Sequence, residues 1–303
     1  MSALSGARVV VTGGAGTVGS HIVDAAIGAG AREVVALDAL VRGVPTNLAG
    51  TDVVFHQAAL RWTRCQEAPR ECQEVMVDGT FNVLEAAADA KVSRVVLASS
   101  AVVYGEPRRL PIDEDHPLEG TTVYGAAKAA NEQLARAFGQ LRGLHTTALR
   151  YFNVYGPRMD IRSNYVEVLV RWLDRIDAGE PLVIYGDGSA SADFVHVADV
   201  ARANLLACAD GAPDAIVNVC TGVETRMQRL AELLLRLTGS SVGIERQPQP
   251  AGGLPARRFG DPRRAEELLG FRARTSLEEG LRTLIAWRRG QLAAVDQRAE
   301  AAP

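Results

Sequence analysis

The first half of the chain alternates short apolar runs with longer segments in which apolar residues recur every three or four positions. The short runs are rich in β-branched and aliphatic residues, which is typical of strands buried on both faces of a sheet. The longer segments match the apolar face of an α-helix. This alternation predicts an α/β fold with a doubly wound parallel sheet. The predicted strands are 9–11, 34–37, 52–59 and 94–100, and the predicted helices follow Gly19 and span 78–90 and 124–141.

The alternation loosens beyond Gly156. The pattern there predicts helices at 165–176 and 227–237, strands at 182–185 and 216–219, and a helix that ends at Ala209. Residues 247–260 are rich in Pro and Gly, and we expect this loop to close over a substrate. The last 13 residues, 291–303, are Ala-rich and polar, and we expect them to fray.

Composition narrows the class of protein. The chain has 303 residues, of which 47% are hydrophobic, and a formal net charge of −3. These values indicate an ordered globular protein and give no reason to expect a nucleic acid as partner. No apolar stretch approaches the roughly 20 residues that span a bilayer, and the N-terminus lacks a basic segment followed by an apolar one. We therefore expect a cytoplasmic protein that does not contact a membrane.

The cysteines and histidines show no metal-binding pattern. Cys65, Cys72, Cys208 and Cys220 lack the C-x-x-C spacing of metal sites, and we expect them to be reduced, mostly buried thiols. The histidines and carboxylates form no ligand group either, so we expect no metal. His56, at a strand end, and His196 are predicted to be structural.

A glycine-rich turn after the first strand is the first candidate site. Gly13, Gly16 and Gly19 are spaced three apart and lead into a helix. Free backbone amides and the helix dipole make such a turn an anion site, and glycine leaves room for a pyrophosphate. Asp38 ends the next strand, 19 residues after Gly19, where a dinucleotide fold places the acid that binds the ribose hydroxyls. A carboxylate there favours NAD over NADP, although the nearby Arg42 leaves NADP open.

Two further strands end in small residues at the same predicted edge. Ala58 and Ala59 follow the third predicted strand, and Ser99 and Ser100 end the fourth. Because the carboxyl ends of parallel strands share one edge, a flat ligand can lie across these residues.

Tyr124 and Lys128 are candidates for acid–base chemistry. They are four positions apart and therefore share one face of the predicted helix. A lysine beside a tyrosine, in a site that holds a cationic nicotinamide, favours the phenolate over the phenol. A group whose ordinary pKa is about 10 thereby becomes a usable base near neutral pH.

Four segments together resemble the extended short-chain dehydrogenase/reductases. They are TGGAGTVG at 12–19, SSAVVYG at 99–105, YGAAK at 124–128 and RYFNVYGPR at 150–158. Within that family the chain is most similar to the NAD-dependent nucleotide-sugar epimerase/dehydratase branch, of which UDP-glucose 4-epimerase is a familiar member. The resemblance extends from about Arg8 to Trp287. It implies a Rossmann domain at 1–155 and a smaller mixed α/β substrate domain at 156–290, with some segments returning to the sheet.

The resemblance also implies roles for individual residues. Ser100, Tyr124 and Lys128 would form the catalytic triad. The implied set of NAD-binding residues is Gly13, Gly16, Thr17, Val18, Gly19, Asp38, Ala58, Ala59, Ser99, Tyr124, Lys128 and Tyr151. The implied partners of a nucleotide-diphosphate sugar are Ser100, Tyr124, Asn153, Arg158 and Arg258. Members of this family pair through two long helices, so the predicted helices at 78–90 and 124–141 imply a homodimer.

The implied chemistry is a transient oxidation of the sugar, followed by return of the hydride to its other face. Family dehydratases carry Asp-Glu after the catalytic serine or threonine, and decarboxylases carry a glutamate at the second position. Here the pair is Ala101 and Val102, which cannot transfer protons. This favours epimerisation, at C4 by analogy. An NAD(P)-dependent dehydratase or reductase remains an alternative, as does a nucleotide-binding protein without catalysis.

The chain departs from the family pattern at several places. Only 13 residues separate Asp38 from Asp52, so the third strand of the Rossmann sheet and its helix are predicted to be missing. Met76 replaces an asparagine, and Ala192 and Ala251 stand where arginines bind the substrate diphosphate. The arginines that could compensate are Arg158, Arg162, Arg257 and Arg258.

Overall fold

The structure is a computed structural model that describes residues 4–38, 50–161, 168–248 and 257–300, with side chains of the last helix described through residue 293. Its strands are β1 (Arg8–Thr12), β2 (Glu33–Leu37), β3 (Val53–His56), β4 (Arg94–Ser100), β5 (Thr146–Tyr151), β6 (Asn153–Tyr155), β7 (Leu182–Tyr185), β8 (Ser191–Ala192), β9 (Phe194–His196), β10 (Ala215–Val219), β11 (Thr225–Arg226), β12 (Ile244–Gln247) and β13 (Arg257–Arg258).

The helices are α1 (Thr17–Gly28), α2 (Trp62–Glu67), α3 (Pro69–Cys72), α4 (Gly79–Asp89), α5 (Val123–Arg142), α6 (Val168–Asp177), α7 (Val197–Ala207), α8 (Met227–Thr238), α9 (Arg263–Leu269) and α10 (Leu277–Glu300). A π-helical turn, Gln73–Asp78, precedes α4, and a 3₁₀ turn, Ala101–Tyr104, follows β4. None of the described helices combines the length and apolarity that crossing a bilayer requires.

Six parallel strands form the main sheet, in the order β10-β5-β4-β3-β1-β2. This arrangement confirms the predicted parallel α/β fold. β10 comes from the second half of the chain, as expected for a segment that returns to the sheet. Within the described residues β2 lies at the sheet edge. The predicted loss of a third strand concerns residues 39–49, which lie outside them.

The sheet is buried on both faces, which explains the continuous apolar runs. Val9 and Val11 pack into one core cluster, while Val10, between them, packs into a second cluster on the opposite face. Side chains alternate across a strand, so a sheet covered by helices on both sides needs apolar residues at every position.

The second half of the chain forms its own apolar cluster around α6, α8 and α10. Small sheets accompany it: β11-β8-β13, β12-β7 and β6-β9. Helix α10 continues through Glu300, past the start of the tail that is predicted to fray. The loop predicted at 247–260 is interrupted by β13, and its residues 249–256 lie outside the described part. The domain boundaries at 155 and 290 stay predictions.

The expectation of four reduced thiols was wrong for two of the cysteines. Cys65 and Cys72 are joined in a disulfide, whereas Cys208 and Cys220 are free and buried. The prediction rested on the lack of metal-type cysteine spacing and on the expected compartment, and neither shows which cysteines lie close together in the fold. The disulfide depends instead on the turn between α2 and α3, which brings the two Cα atoms within 4.9 Å.

The two strand-associated histidines are structural, as predicted. His56 is buried at the end of β3, where its ring nitrogens lie 2.7 Å from Thr12 Oγ1 and 2.9 Å from Thr80 Oγ1. His196 caps α7 by accepting from the Ala198 amide, and its ring contacts Thr283 Oγ1. Burial, together with the charge of Lys128, lowers the pKa of His56 to about 3.

The depressed pKa of His56 predicts a stability loss on acidification. An unfolded chain would protonate His56 below about pH 6.5, while the folded protein keeps it neutral down to about pH 3. Stability is therefore lost as pH falls through this window. At pH 5 the gap of about 1.5 pH units, at about 1.36 kcal/mol each, amounts to about 2 kcal/mol.

Urea unfolding at pH 7.5 and pH 5 checks this prediction. His56→Gln, which cannot take up the proton, should lose about 2 kcal/mol less than the wild type between the two conditions. The exposed His145 supplies a matched His→Gln control at the surface. An equal loss in all three proteins would contradict the prediction.

Candidate active site

The glycine-rich turn packs tightly between β1, β3 and α1. Gly13 has a left-handed φ of +68°, and a Cβ there would lie 2.8 Å from the Ala58 nitrogen. A Cβ on Gly19 would overlap the Gly13 carbonyl oxygen. Gly16 is the N-cap of α1 and offers no side chain to its amides. Only glycine fits at positions 13 and 19, and the bare helix start at Gly16 leaves an anion site.

The remaining predicted cofactor residues surround this turn. Asp38 follows β2, and its Oδ2 accepts from the Ala15 nitrogen at 2.9 Å. Thr17 and Val18 open α1, and the Thr17 hydroxyl donates to the Arg158 carbonyl oxygen. Ala58 and Ala59 follow β3, where the Ala58 nitrogen donates to Thr12 Oγ1. The glycine cradle, the open helix start and the adjacent carboxylate fit a dinucleotide with a free ribose diol.

Ser100, Tyr124 and Lys128 come together at the carboxyl end of β4. Helix α5 begins beside this end, with the Thr122 hydroxyl accepting from the Gly125 nitrogen as its N-cap. Lys128 Nζ lies 5.8 Å from the centre of the Tyr124 ring and donates to the Ala98 carbonyl oxygen at 2.6 Å. Ser100 Oγ accepts from the Val102 nitrogen at 3.3 Å. The helix therefore presents the tyrosine and lysine to the same strand end, as their spacing predicts.

Lys128 is buried, and this burial affects both its pKa and the strength of its electric field. Desolvation lowers the pKa of Lys128 to about 8, while the carboxylate of Glu132 acts in the opposite direction. A lysine in these surroundings places a positive charge where water is scarce. Its field is therefore stronger than that of a surface lysine and favours negative charge on the neighbouring Tyr124.

Tyr151 lies next to Ser100, because β5 pairs with β4 in register at these two residues. Its hydroxyl donates to Gln57 Oε1 at 2.9 Å and accepts from Asn204 Nδ2 at 2.8 Å. Gln57 Nε2 in turn donates to Asn204 Oδ1. Burial raises the pKa of Tyr151 well above its ordinary value. Tyr151 is therefore a neutral, positioned phenol.

Sequence reasoning missed Gln57 and Asn204. Gln57 directly follows β3, and this placement at the active edge was a usable signal. Asn204 lies in α7, 147 residues further along the chain, where nothing in the local pattern marks it.

A buried ion pair lies directly below the candidate triad. Arg150 on β5 binds Glu132 on α5 through two hydrogen bonds, of 2.9 and 2.7 Å, and the two side chains are only 4% and 1% exposed. Ser99 Oγ donates to the same carboxylate at 2.5 Å. Tyr104 Oη accepts from Arg150 and donates to Asn218. The Ser99 hydroxyl is therefore used within the protein, and its expected contact with NAD stays a prediction.

The predicted substrate residues divide into two groups. Arg258 is buried on β13 and donates to Asn153 Oδ1 at 3.0 Å, so these two lie together. Ala192 is the register partner of Arg258. Arg158 instead binds Asp24 of α1 at 2.7 Å, and Arg257 binds Glu224.

The other positions singled out from the sequence are a buried methionine and three residues outside the described ranges. Met76 is buried, and its sulfur lies 3.1 Å from the Leu60 nitrogen. Arg42, Arg162 and Ala251 lie outside the described residues. Throughout the described ranges no three His, Cys, Asp or Glu side chains are grouped as metal ligands.

Comparison with known proteins identifies the class that this fold and site define. The model of the NAD dependent epimerase/dehydratase family matches residues 9–220. The chain belongs to this NAD-dependent family of enzymes, as the resemblance implied.

The relatives of this chain differ from one another in activity. The UDP-glucose 4-epimerase of Mycolicibacterium smegmatis is 33% identical over 303 residues, covering 90% of this chain and 96% of the relative. The UDP-N-acetyl-alpha-D-glucosaminuronate decarboxylase of Bacillus cytotoxicus is 30% identical over 316 residues, covering 92% and 97%. Among solved structures, the Thermus thermophilus UDP-glucose 4-epimerase in complex with NAD has a TM-score of 0.81 and 32% identity. That match covers 93% of this chain and 99% of the other.

The buried ion pair predicts a large stability loss when one partner is removed. Arg150→Met leaves the Glu132 carboxylate buried without its counter-ion, which costs about 3–5 kcal/mol. The exposed pair Arg142–Asp89 supplies the matched control, because Arg142→Met should cost about 0–1 kcal/mol. Urea unfolding of the two variants measures the difference. Equal losses would show that the buried pair does not hold the structure together.

Proposed function

We propose that this protein is an NAD-dependent epimerase that inverts C4 of a nucleotide-diphosphate sugar through a transient keto intermediate. The observation that carries the proposal is the meeting of Ser100, Tyr124 and Lys128 at the end of β4, beside the glycine turn. The epimerases among the relatives support the substrate class and the reaction.

Tyr124 acts as the acid and base. As phenolate it takes the proton from the sugar hydroxyl that is oxidised, and it returns the proton when that hydroxyl forms again. Bound NAD would supply a reversible hydride acceptor for this oxidation, so no cofactor would be consumed over a cycle. Lys128 stabilises the phenolate through its buried charge. Ser100 donates a hydrogen bond to the reacting sugar oxygen.

The other proposed contacts hold the two ligands. Gly13, Gly16, Thr17, Val18 and Gly19 bind the pyrophosphate of NAD through backbone groups at the start of α1.

Asp38 binds the adenosine ribose, while Ala58, Ala59 and Tyr151 line the nicotinamide side. Asn153 and Arg258 bind the sugar nucleotide, since a buried arginine beside an amide suits a phosphate. Arg158, held by Asp24, would act here only after leaving that pair. We also propose a homodimer formed through α4 and α5.

The decarboxylase among the relatives makes decarboxylation the second candidate. Ala101 is buried and Val102 is half-buried after Ser100, and neither can transfer a proton. This pair therefore favours epimerisation. The protein should be incubated separately with UDP-glucose and with UDP-glucuronate and the products separated. A new C4 epimer supports the proposal, whereas release of CO₂ supports the second candidate.

NAD content should be measured first, by denaturing the purified protein and assaying the supernatant. Bound NAD, or tight binding of added NAD, supports an enzyme that recycles its cofactor. No binding at millimolar NAD would contradict the proposed function and favour a protein that has lost catalysis.

Replacing the catalytic hydroxyl should stop turnover without removing the cofactor. Tyr124→Phe should lower kcat by about 10²–10⁴-fold, because the acid–base group is lost while the ring still packs against its neighbours. NAD affinity should change little. The half-exposed Tyr185 supplies the control, and Tyr185→Phe should keep full activity. Unchanged turnover in Tyr124→Phe would show that the base lies elsewhere.

A further inference from the structure

The Cys65–Cys72 disulfide packs against the helix that carries Tyr124. Both cysteines are fully buried and share a small apolar cluster with Met76 and with Ala127 of α5. Tyr124 packs against the same cluster. A change in the disulfide therefore alters the packing under the first turns of the catalytic helix.

Gln66 connects the disulfide to the start of α5. It lies between the two cysteines, and its Oε1 accepts from the Val123 nitrogen at 3.2 Å. Val123 is the first residue of α5, next to Tyr124. The first amides of a helix have no partner within the helix, so a side-chain acceptor stabilises and orients its start. The turn that holds Tyr124 is thus capped by Thr122 and, from outside the helix, by Gln66.

Gln66 lies near the end of α2, which the disulfide ties to the start of α3. Helix α2 has only six residues, which is too short for independent stability, and it has no side-chain N-cap. Helix α3 instead continues directly into the π-helical turn and α4. The ion pair Arg64–Glu71 joins α2 and α3 across 2.5 Å, but both side chains are exposed, so it contributes little. The position of Gln66 therefore depends on the disulfide.

We propose that the Cys65–Cys72 disulfide and Gln66 position Tyr124, so that the rate of the reaction depends on the redox state of this cysteine pair. The inference rests on the proposed role of Tyr124. Reduction by a dithiol breaks the S–S bond and forms two thiols, with two electrons and two protons supplied by the reductant, which becomes a disulfide. Two thiols need more room than a bonded pair, and the cluster is fully buried. Helix α2 must then shift, and Gln66 leaves Val123.

The direct test compares the full chain before and after reduction with dithiothreitol. Titration in denaturant should find two thiols per chain before reduction and four afterwards. Reduction should lower kcat about tenfold, since misplacing a catalytic group costs rate. KM and the Kd for NAD should stay within about twofold, because the glycine turn and the Asn153–Arg258 pair lie outside the cluster that the disulfide packs against. Oxidised glutathione should restore kcat.

Variants separate positioning from general stability. Gln66→Ala should lower kcat in the oxidised protein and remove most of its response to dithiothreitol. Gln66→Glu keeps the acceptor and should restore kcat, with the midpoint of its pH–rate profile shifted upward, because the added charge favours the protonated phenol. Cys208→Ser, which removes a free buried thiol elsewhere, should respond to dithiothreitol like the wild type.

Hydrogen exchange provides a readout that needs no substrate. Amides in residues 122–128 should exchange faster in the reduced protein. If the reduced protein exchanges faster but the protein turns over no nucleotide sugar, the proposed function is contradicted. The coupling between the disulfide and the start of α5 would then still hold. Unchanged exchange after complete reduction, or four titratable thiols after treatment with oxidised glutathione, would overturn the inference.

Discussion

The active edge of the sheet depends on the buried ion pair between Glu132 and Arg150. Burying two charges is costly unless their geometry is good and further hydrogen bonds complete it. Both conditions hold, because the contact is bidentate and Ser99 and Tyr104 satisfy the remaining polar positions. The pair joins α5 to β4 and β5. Glu132 lies one helical turn beyond Lys128, so this contact sets how far the catalytic helix projects past the strand ends. A pair that we expect to touch neither cofactor nor substrate thus determines where Tyr124 and Lys128 lie relative to Ser100.

The electrostatic potential at this edge of the sheet depends on which side chains are ionised. Lys128 keeps its charge near neutral pH despite burial, while the neighbouring His56 remains neutral down to about pH 3. Tyr151, whose hydroxyl is held by two amide side chains, also remains uncharged. With His56 and Tyr151 uncharged, the positive charge of Lys128 acts on the neighbouring phenol of Tyr124. The start of α1 contributes a second positive field, at the glycine-rich turn.

Local spacing made part of this site predictable. The glycines at 13, 16 and 19 and the acid at 38 follow from the geometry of one strand–turn–helix unit, and Tyr124 and Lys128 share a helix face whatever surrounds them. Contacts between distant segments were not predictable in this way. The partner of Tyr151 is 53 residues away in α7, and Arg158 binds Asp24, 134 residues before it. Several arginines looked equally suited to a phosphate, and among them packing alone separates the buried Arg258 from the surface Arg158. The cysteines were misjudged for the same reason, because a seven-residue separation gives no sign of the turn that brings the sulfurs together.

The placement of β10 has a consequence for how the protein is made. β10 pairs with β5 although more than 60 residues separate them, and it covers the edge of the strand that carries Arg150 and Tyr151. During synthesis the first five strands of the sheet emerge well before this partner does. Until residue 219 has left the ribosome, β5 presents a row of unpaired amides and carbonyls to other chains. A fragment ending near residue 155 would keep that edge open permanently. Residues 1–155, although continuous in sequence, therefore cannot complete this sheet, and we expect such a fragment to aggregate when expressed alone.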